Sequence, residues 1–388
     1  MLRGIIATIA LLFAVTTLTA QSYESKVIAR DTINYSYTPF EYIYTPIDQS
    51  NGCDHGSGQS FLDLLPAEDK SLEIIVLPTY TIETSLCLVF SSQFAIKEFS
   101  ISAVAMASII GYYNVSLSGK NNIGNDHTLT YGAKILSEPT RLWGLNFDSA
   151  SNDNFTSYTG KEYSAWLQYK WQFVPKTTLG INADYAYHDA LKLDTAAQEI
   201  LTNNPLSLSV ASIGVDLSYD SRHKPEIYQQ RGIYAKAEAT YRPSFLNSLK
   251  QDMYVVGLTF DWYQPLWAGA TLAFDIFGKH TSNNTPWMLQ NLLGDNSRMR
   301  GYYPGRFRGN TLLSTQLELR QHIWKGIGLV AWGGAGTTLS PNDNFAWRKI
   351  LPTYGGGIRY YHKYFTVRAD VGFGRNSFNI MVGLSEAF

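Results

Sequence analysis

The chain has 388 residues, with 31 Lys and Arg against 32 Asp and Glu, a formal net charge of −1. That balance excludes the broad basic patch that a phosphate backbone requires, so no nucleic acid partner is expected. Charged residues make up 16%, below the quarter usual for a soluble domain, while 14% aromatics with 26 Tyr favour strands, and two cysteines exclude a disulfide framework.

In chain order, Met1-Leu2-Arg3 is a short basic start, Ile5 to Leu18 is an apolar or Thr-diluted run, and Leu18-Thr19-Ala20 precedes Gln21. This predicts a signal peptide over 1–20, cleaved near Ala20, and Gln21 in place of Cys argues against a lipid anchor. Further along there is no run of 18 uncharged apolar residues, so no membrane-spanning helix is expected. Residues 21–69, with Pro39, Pro46 and Gly/Ser/Asp-rich text at 49–60, read as a periplasmic linker; within them 29–46 could hold a short strand or a plug segment. Cys53-Asp54-His55 offers metal-ligand types but too few, so an ordinary loop and no metal or cofactor are expected. Cys87, among apolar residues, reads as a lipid-facing or packed small hydrophobe.

The decisive signal from there on is alternation. In 162–173, Tyr163, Ala165, Leu167, Tyr169, Trp171 and Phe173 oppose Glu162, Ser164, Gln168, Lys170 and Gln172. In 314–323 the even positions are Ser, Gln, Glu, Arg and His and the odd ones mostly apolar; in 365–373, Thr366, Arg368 and Asp370 oppose Phe365, Val367, Ala369, Val371 and Phe373. Successive strand side chains point to opposite faces, so each segment has one polar and one apolar face. A soluble sandwich also alternates. Three features weigh against it: segments of about ten to fifteen residues where globular strands average five or six; aromatics such as Trp171, Tyr241, Trp262 and Tyr263 near strand ends, as in interfacial girdles; and charges on the polar face that a dry core would not accept unpaired.

The fold expected over 70–388 is therefore all-β: a transmembrane antiparallel β-barrel with its apolar face to lipid. Its predicted strands are 71–81, 84–95, 98–108, 110–118, 126–137, 160–174, 177–189, 206–220, 230–242, 252–265, 267–280, 310–323, 326–338, 353–362, 364–374 and 377–388. That is about 16, an even number as single-chain bacterial barrels require; 139–148 reads as either a strand or a rim loop. The last segment puts Phe378, Ile380, Val382, Leu384 and the terminal Phe388 on one face. This end resembles the carboxyl-terminal β-signal read by the outer-membrane assembly machinery, with Leu384 and Phe388 as its residues.

The longest connection, 281–309, ends in "RMRGYYPGRFRGN" at 298–310. Gly294-Asp295-Asn296, Met299-Arg300-Gly301-Tyr302, Phe307-Arg308-Gly309-Asn310 and Gln316-Leu317-Glu318-Leu319-Arg320 together resemble the bacterial surface antigen domain of the BamA/TamA superfamily. The 219–232 stretch is similar to that family's Tyr-Asp-x-Arg hairpin, and Tyr354-Gly355-Gly356-Gly357-Ile358-Arg359 with Arg368-Ala369-Asp370 to its closing strands. The resemblance implies that the long sixth extracellular loop folds back into the lumen. There Arg300 needs carboxylate partners, with Asp370 and Glu318 as candidates; Gly301 lets the backbone bend, and Tyr302 packs on the inner wall. Where many members carry Asp in Phe-Val-Asp-x-Gly, this chain has Trp332-Gly333-Gly334-Ala335-Gly336, so Gly334 removes one expected partner.

Residues 21–69 are too short for the periplasmic POTRA domains of that family, which implies a barrel-only form. The expected role is assistance to insertion or translocation of proteins or lipids at the outer membrane of a Gram-negative bacterium. The alternatives are a passive pore or structural surface antigen, and then a barrel-wall hydrolase. His188 near Asp184, and Asp220 with Arg222 and His223, have no nucleophile motif beside them, so no enzymatic activity is expected. Expected partners are outer-membrane lipid and lipopolysaccharide, the assembly machinery for the chain's own insertion, and periplasmic proteins in place of the POTRA domains.

Overall fold

The computed structural model describes residues 71–81, 85–96, 99–151, 154–222, 231–341, 343, 346–361, 366–384 and 386–388. The signal-peptide and linker segments, with Cys53-Asp54-His55, lie outside the described residues, as do His223 and most of the 219–232 stretch.

Sixteen antiparallel strands form one sheet, each bonded to the next in chain order. They are β1 (Ser71–Thr81), β2 (Ser85–Ile96), β3 (Phe99–Ser108), β4 (Tyr113–Ile123), β5 (His127–Leu142), β6 (Thr156–Val174), β7 (Thr177–Leu191), β8 (Ser207–Asp220), β9 (Gly232–Arg242), β10 (Met253–Pro265), β11 (Ala270–Thr281), β14 (Thr311–Trp324), β15 (Ile327–Leu339), β16 (Leu351–Tyr361), β17 (Thr366–Gly374) and β18 (Ser377–Leu384). The remaining two, β12 (Asn291–Leu293) and β13 (Phe307–Gly309), pair only with each other. β1 and β18 are the two edges of the large sheet, and among the described residues no ladder joins them.

Every predicted segment is a strand, and the differences lie at the ends. β5 continues to Leu142 and pairs there with Thr156 of β6; the rest of the ambiguous 139–148 stretch is loop with a short helix, Phe147–Ala150, capped by Asn146. Residues 137–141, Ser-Glu-Pro-Thr-Arg, show no apolar alternation. At 16 and 19 residues, β5 and β6 outreach an apolar band about 25 Å tall, and their ends have no lipid to face.

Alternation decides which way each side chain points. On β14, Leu313 and Leu317 are 49% and 46% exposed, whereas Glu318 between Leu317 and Leu319 is fully buried. In a water-soluble fold that order would be inverted; here the exposed apolar face is the lipid face. Trp171 and Tyr241 lie on that face, as expected. Tyr263 does not: it follows Trp262, so it points into the lumen and is buried there.

Connections differ between the rims. One rim carries 143–155, 192–206, 243–252, 282–310 and 340–350; the other carries turns such as 124–126, 175–176 and 325–326, with 221–231 the long exception. Long loops on one rim and short turns on the other are the pattern of outer-membrane barrels. Both the start of β1 and the end of β18 lie on the short-turn rim. The long loops pack into a cap whose core includes Leu142, Tyr158, Leu201, Leu208, Met253 and Trp287. The 282–310 connection is the sixth on the long-loop rim.

Candidate functional site

The sixth loop is folded, with its own hydrogen bonds and core. β12 and β13 form a small ribbon in register Asn291↔Gly309, Leu292↔Arg308 and Leu293↔Phe307. Its base is tied down where Asn291 Nδ2 donates to the Asn310 carbonyl at 2.8 Å and Asn310 Nδ2 to the Ser282 carbonyl at 2.7 Å. Gly294, at φ 92°, reverses the chain as only glycine does easily. Asp295 Oδ1 then accepts from the backbone N–H of Ser297 and of Arg298, each at 2.5 Å, closing the turn that aims Arg298 and Arg300. Leu293, Met299, Tyr302 and Phe307 join Trp143, Phe147, Leu312 and Leu351 in one buried cluster, so the loop is packed like a domain core.

The tip lies against β14 to β17. Arg300 is fully buried; Nη1 donates to Asp370 Oδ2 at 2.8 Å, and Nη2 donates to Glu318 Oε2. Its guanidinium lies 3.7 Å from the centre of the Trp332 ring. The structure thus brings the loop arginine and both candidate carboxylates together. Gly301 touches the wall backbone: a Cβ there would come 2.3 Å from the Phe373 carbonyl carbon and oxygen. Tyr302 is buried, donates to the Pro352 carbonyl at 2.7 Å and accepts from the Arg375 N–H at 2.7 Å.

The charges form a closed ring. From Arg300 it passes through Glu318 to Arg320 (2.7 Å), Glu386 (3.8 Å), Arg359 (2.7 Å) and Asp370 (2.5 Å), and returns to Arg300 (2.8 Å). Three guanidiniums alternate with three carboxylates, which is how six charges can be held together with little or no exposure. Arg368 adds a 3.7 Å contact to Asp370 and donates to the Asn296 carbonyl of the loop at 2.7 Å. A second clamp holds Arg298: Nη2 donates to Asp275 Oδ1 at 2.7 Å, and the guanidinium sits 4.3 Å from the Phe277 ring centre. Arg320, Arg359, Glu386, Arg298 and Asp275 were not singled out by sequence reading. Alternation marks Arg320, Arg359 and Asp275 as lumen-facing, but their pairing across strands is set by register and barrel curvature.

The carboxyl terminus departs from expectation. β18 ends at Leu384 rather than Phe388, and Phe388 is not on the lipid face. Its ring is buried beside Tyr263, Ala273 and Ala387, Arg320 lies 5.1 Å from the ring centre, and Arg320 Nη2 donates to the Phe388 carbonyl at 2.9 Å. Glu386 explains the turn inward: its oxygens accept from Arg359 Nε at 2.7 Å and Tyr361 Oη at 2.9 Å. Alternation extended a β pattern through residues that the arginines of β16 and β14, two and four strands along the sheet from β18, draw inside.

Burial alone would raise the Glu386 carboxyl, but Arg359 and Arg320 outweigh it, against opposition from Glu318, and hold it below the usual carboxylate range. A carboxyl lowered on folding lends stability above its unfolded value, about 4.3, and loses it as pH falls through the lowered folded value. The wild type is therefore expected to resist urea better than Glu386→Gln at neutral pH, with the gap closing below about pH 4. Urea midpoints of both proteins across pH would show it, and a gap that persists in acid would contradict the ionic role.

Gly334 leaves no room for a side chain, since a Cβ there would lie 2.3 Å from the Thr315 carbonyl oxygen. Trp332, two residues earlier on the same face, supplies a ring for Arg300 instead. The weaker candidates stay apart from this site. Asp184 accepts from Ser212 Oγ at 2.5 Å, His188 pairs across the ladder with Glu162, and Asp220 pairs with Arg222 at 2.8 Å. Among the described residues no group of three metal-ligating side chains is found.

No family model matches the sequence, and no curated protein matches it. Solved structures do. CdiB from Escherichia coli superposes with a TM-score of 0.58 at 13% identity, over 83% of this chain and 68% of that one. BamA from Haemophilus ducreyi lacking POTRA domains 1–3 gives 0.56 at 13%, over 82% and 70%. CdiB from Acinetobacter baumannii gives 0.53 at 10%, over 81% and 65%, so the chain spans about two thirds of the length of these proteins. At such identities the likeness concerns fold alone: this chain has the outer-membrane β-barrel fold of the BamA and CdiB barrels.

Proposed function

We propose that the protein is a barrel of BamA/TamA type in the outer membrane of a Gram-negative bacterium, assisting insertion or translocation of proteins or lipids there. The observation that carries this reading is the clamp of Arg300 between Glu318 and Asp370, continued by the charge ring to the C-terminal tail. A device that ties the tip of a surface loop to the tail beyond the last strand couples the lumen to the edge strand β18. A passive pore has no need of such coupling, and a packed loop in the lumen obstructs free diffusion. Lipid and lipopolysaccharide surround the wall in this reading, the general assembly machinery inserts the barrel, and periplasmic partner proteins deliver its clients.

The test is quantitative outer-membrane proteomics after depletion, with rescue by wild type or by Arg300→Ala at matched barrel levels. Loss of a defined set of other surface proteins, restored by wild type alone, is expected. An unchanged proteome would move the reading to a pore or structural barrel.

A further inference from the structure

The sixth loop carries four arginines inward, and three of them are accounted for by what they touch. Arg298 is held by Asp275, Arg300 by Glu318 and Asp370, and Arg306 donates to the carbonyls of Ala150 at 3.1 Å and Asn376 at 3.2 Å. Arg308 is different. It is 2% exposed, and among the described residues no carboxylate pairs with it. The hydrogen bond from Nη1 to the Trp287 carbonyl is long, 3.4 Å, and Nε meets no partner. A guanidinium stays ionised throughout the pH range of a folded protein, so a full positive charge is set inside the cap. Water can accept from the N–H, but only a counter-ion offsets the charge, and a buried ion without one is expensive.

The groups around Arg308 are donors. Its guanidinium lies 5.4 Å from the Trp287 ring centre, and the Tyr158 ring stands edge-on to that same ring at 5.5 Å. Thr140 faces Tyr158 directly across the ladder between β5 and β6. Arg308 and Thr140 both approach Tyr158 Oη, yet Arg308 Nε and Thr140 Oγ close no hydrogen bond. An N–H of the loop and two neutral O–H groups of the wall thus converge beside the apolar cluster of Leu142, Leu208, Met253 and Leu289. Such a set has donors and positive charge to spare, and it lacks an acceptor.

We propose that Arg308, Tyr158 and Thr140 hold a single halide ion, chloride from the medium, which ties the β12–β13 ribbon of the sixth loop to β5 and β6. The inference rests on the folded loop alone, not on an assembly role. Burial sets the size of the ligand: Arg308, Tyr158 and Trp287 are 2%, 5% and 3% exposed. A monatomic anion can be enclosed as the loop packs down, whereas a phosphate or a carboxylate-bearing molecule would hold the ribbon off the wall. The apolar surroundings strengthen the attraction between ion and guanidinium. The loop is then fastened at two places, its tip by the latch on β14 to β17 and its base by the ion on β5 and β6.

The test uses the purified full-length barrel in detergent, heated in sodium chloride, sodium bromide or sodium gluconate at equal ionic strength, with loss of the fast-migrating band on a gel as the readout. Chloride and bromide are expected to raise the wild-type transition temperature saturably over gluconate, as a ligand of the folded state alone does. Arg308→Gln should melt at one temperature in all three salts. Tyr158→Phe and Thr140→Val, which each remove one O–H and keep the shape, should need more chloride for half of the shift. Crystals of the wild type grown in bromide should show an anomalous peak beside Arg308 Nε. Equal wild-type temperatures in the three salts, a halide shift retained by Arg308→Gln, or no bromide peak at Arg308 would overturn the proposal. If Arg308→Gln does not fold, an unchanged chloride requirement in the Tyr158→Phe, Thr140→Val double variant overturns it instead. Since these measurements read ion binding by the isolated barrel, their outcome is independent of the depletion experiment.

Discussion

Replacing Arg300 by alanine is expected to cost about 3–5 kcal/mol of barrel stability, the range for removing one member of a buried ion pair. Glu318 and Asp370 are both fully buried or nearly so, and each would lose a partner. Glu318 would keep Arg320, and Asp370 would keep Arg359 and the more distant Arg368. The ring would open without every charge being orphaned, which places the loss short of collapse. Arg300→Lys should be intermediate: it keeps a charge, but one ammonium cannot both bridge the two carboxylates and lie flat on Trp332. The readout is the temperature at which the folded, fast-migrating band is lost on a gel. Equal transition temperatures for wild type and Arg300→Ala would remove the latch from the account of this loop.

Gly301→Ala is expected to be at least as damaging, for a steric reason independent of charge. The Cβ would sit 2.3 Å from the Phe373 carbonyl, and the contact is reciprocal, since a Cβ on Gly372 would lie 2.7 Å from the Arg300 carbonyl. The obstructing atoms are strand backbone, which cannot step aside without breaking the ladder between β16, β17 and β18. The loop must therefore move, and the Arg300 pairs lengthen with it. Overpacking alone costs about 1–3 kcal/mol, and the weakened ion pairs add to that. Gly333→Ala is the matched control, because a Cβ there meets nothing within 4 Å. Trypsin treatment of the purified barrel should cut within 282–310 in Gly301→Ala and leave wild type and Gly333→Ala intact; protection of all three would show that the tip tolerates a methyl group.

Much of the architecture was legible because strand alternation is a local property. Leu317, Glu318, Leu319 and Arg320 announce their faces by order alone. The motif at 299–302, read by resemblance, named the tip, and the two carboxylates offered as partners, Asp370 and Glu318, both accept hydrogen bonds from Arg300. Legibility failed where a side chain's fate depends on a distant element. Phe388 was extrapolated along a strand that stops at Leu384, because nothing within four residues reveals Arg320 on β14 or Arg359 and Tyr361 on β16. Tyr263 was grouped with its neighbour Trp262 as a girdle aromatic, although adjacency places the two on opposite faces.

By itself, the sequence determined that this is an all-β barrel of about sixteen strands, which faces meet lipid, and which loop is long enough to fold inward. Those follow from residue type and period, which act over one or two residues. Only the tertiary structure decided that Arg300, Glu318, Arg320, Glu386, Arg359 and Asp370 close into a ring, that Trp332 carries the guanidinium where Gly334 has no room for a carboxylate, and that the chain end turns inside. These depend on ladder register and on curvature, which bring together residues up to 70 positions apart, and no local pattern encodes a contact between strands.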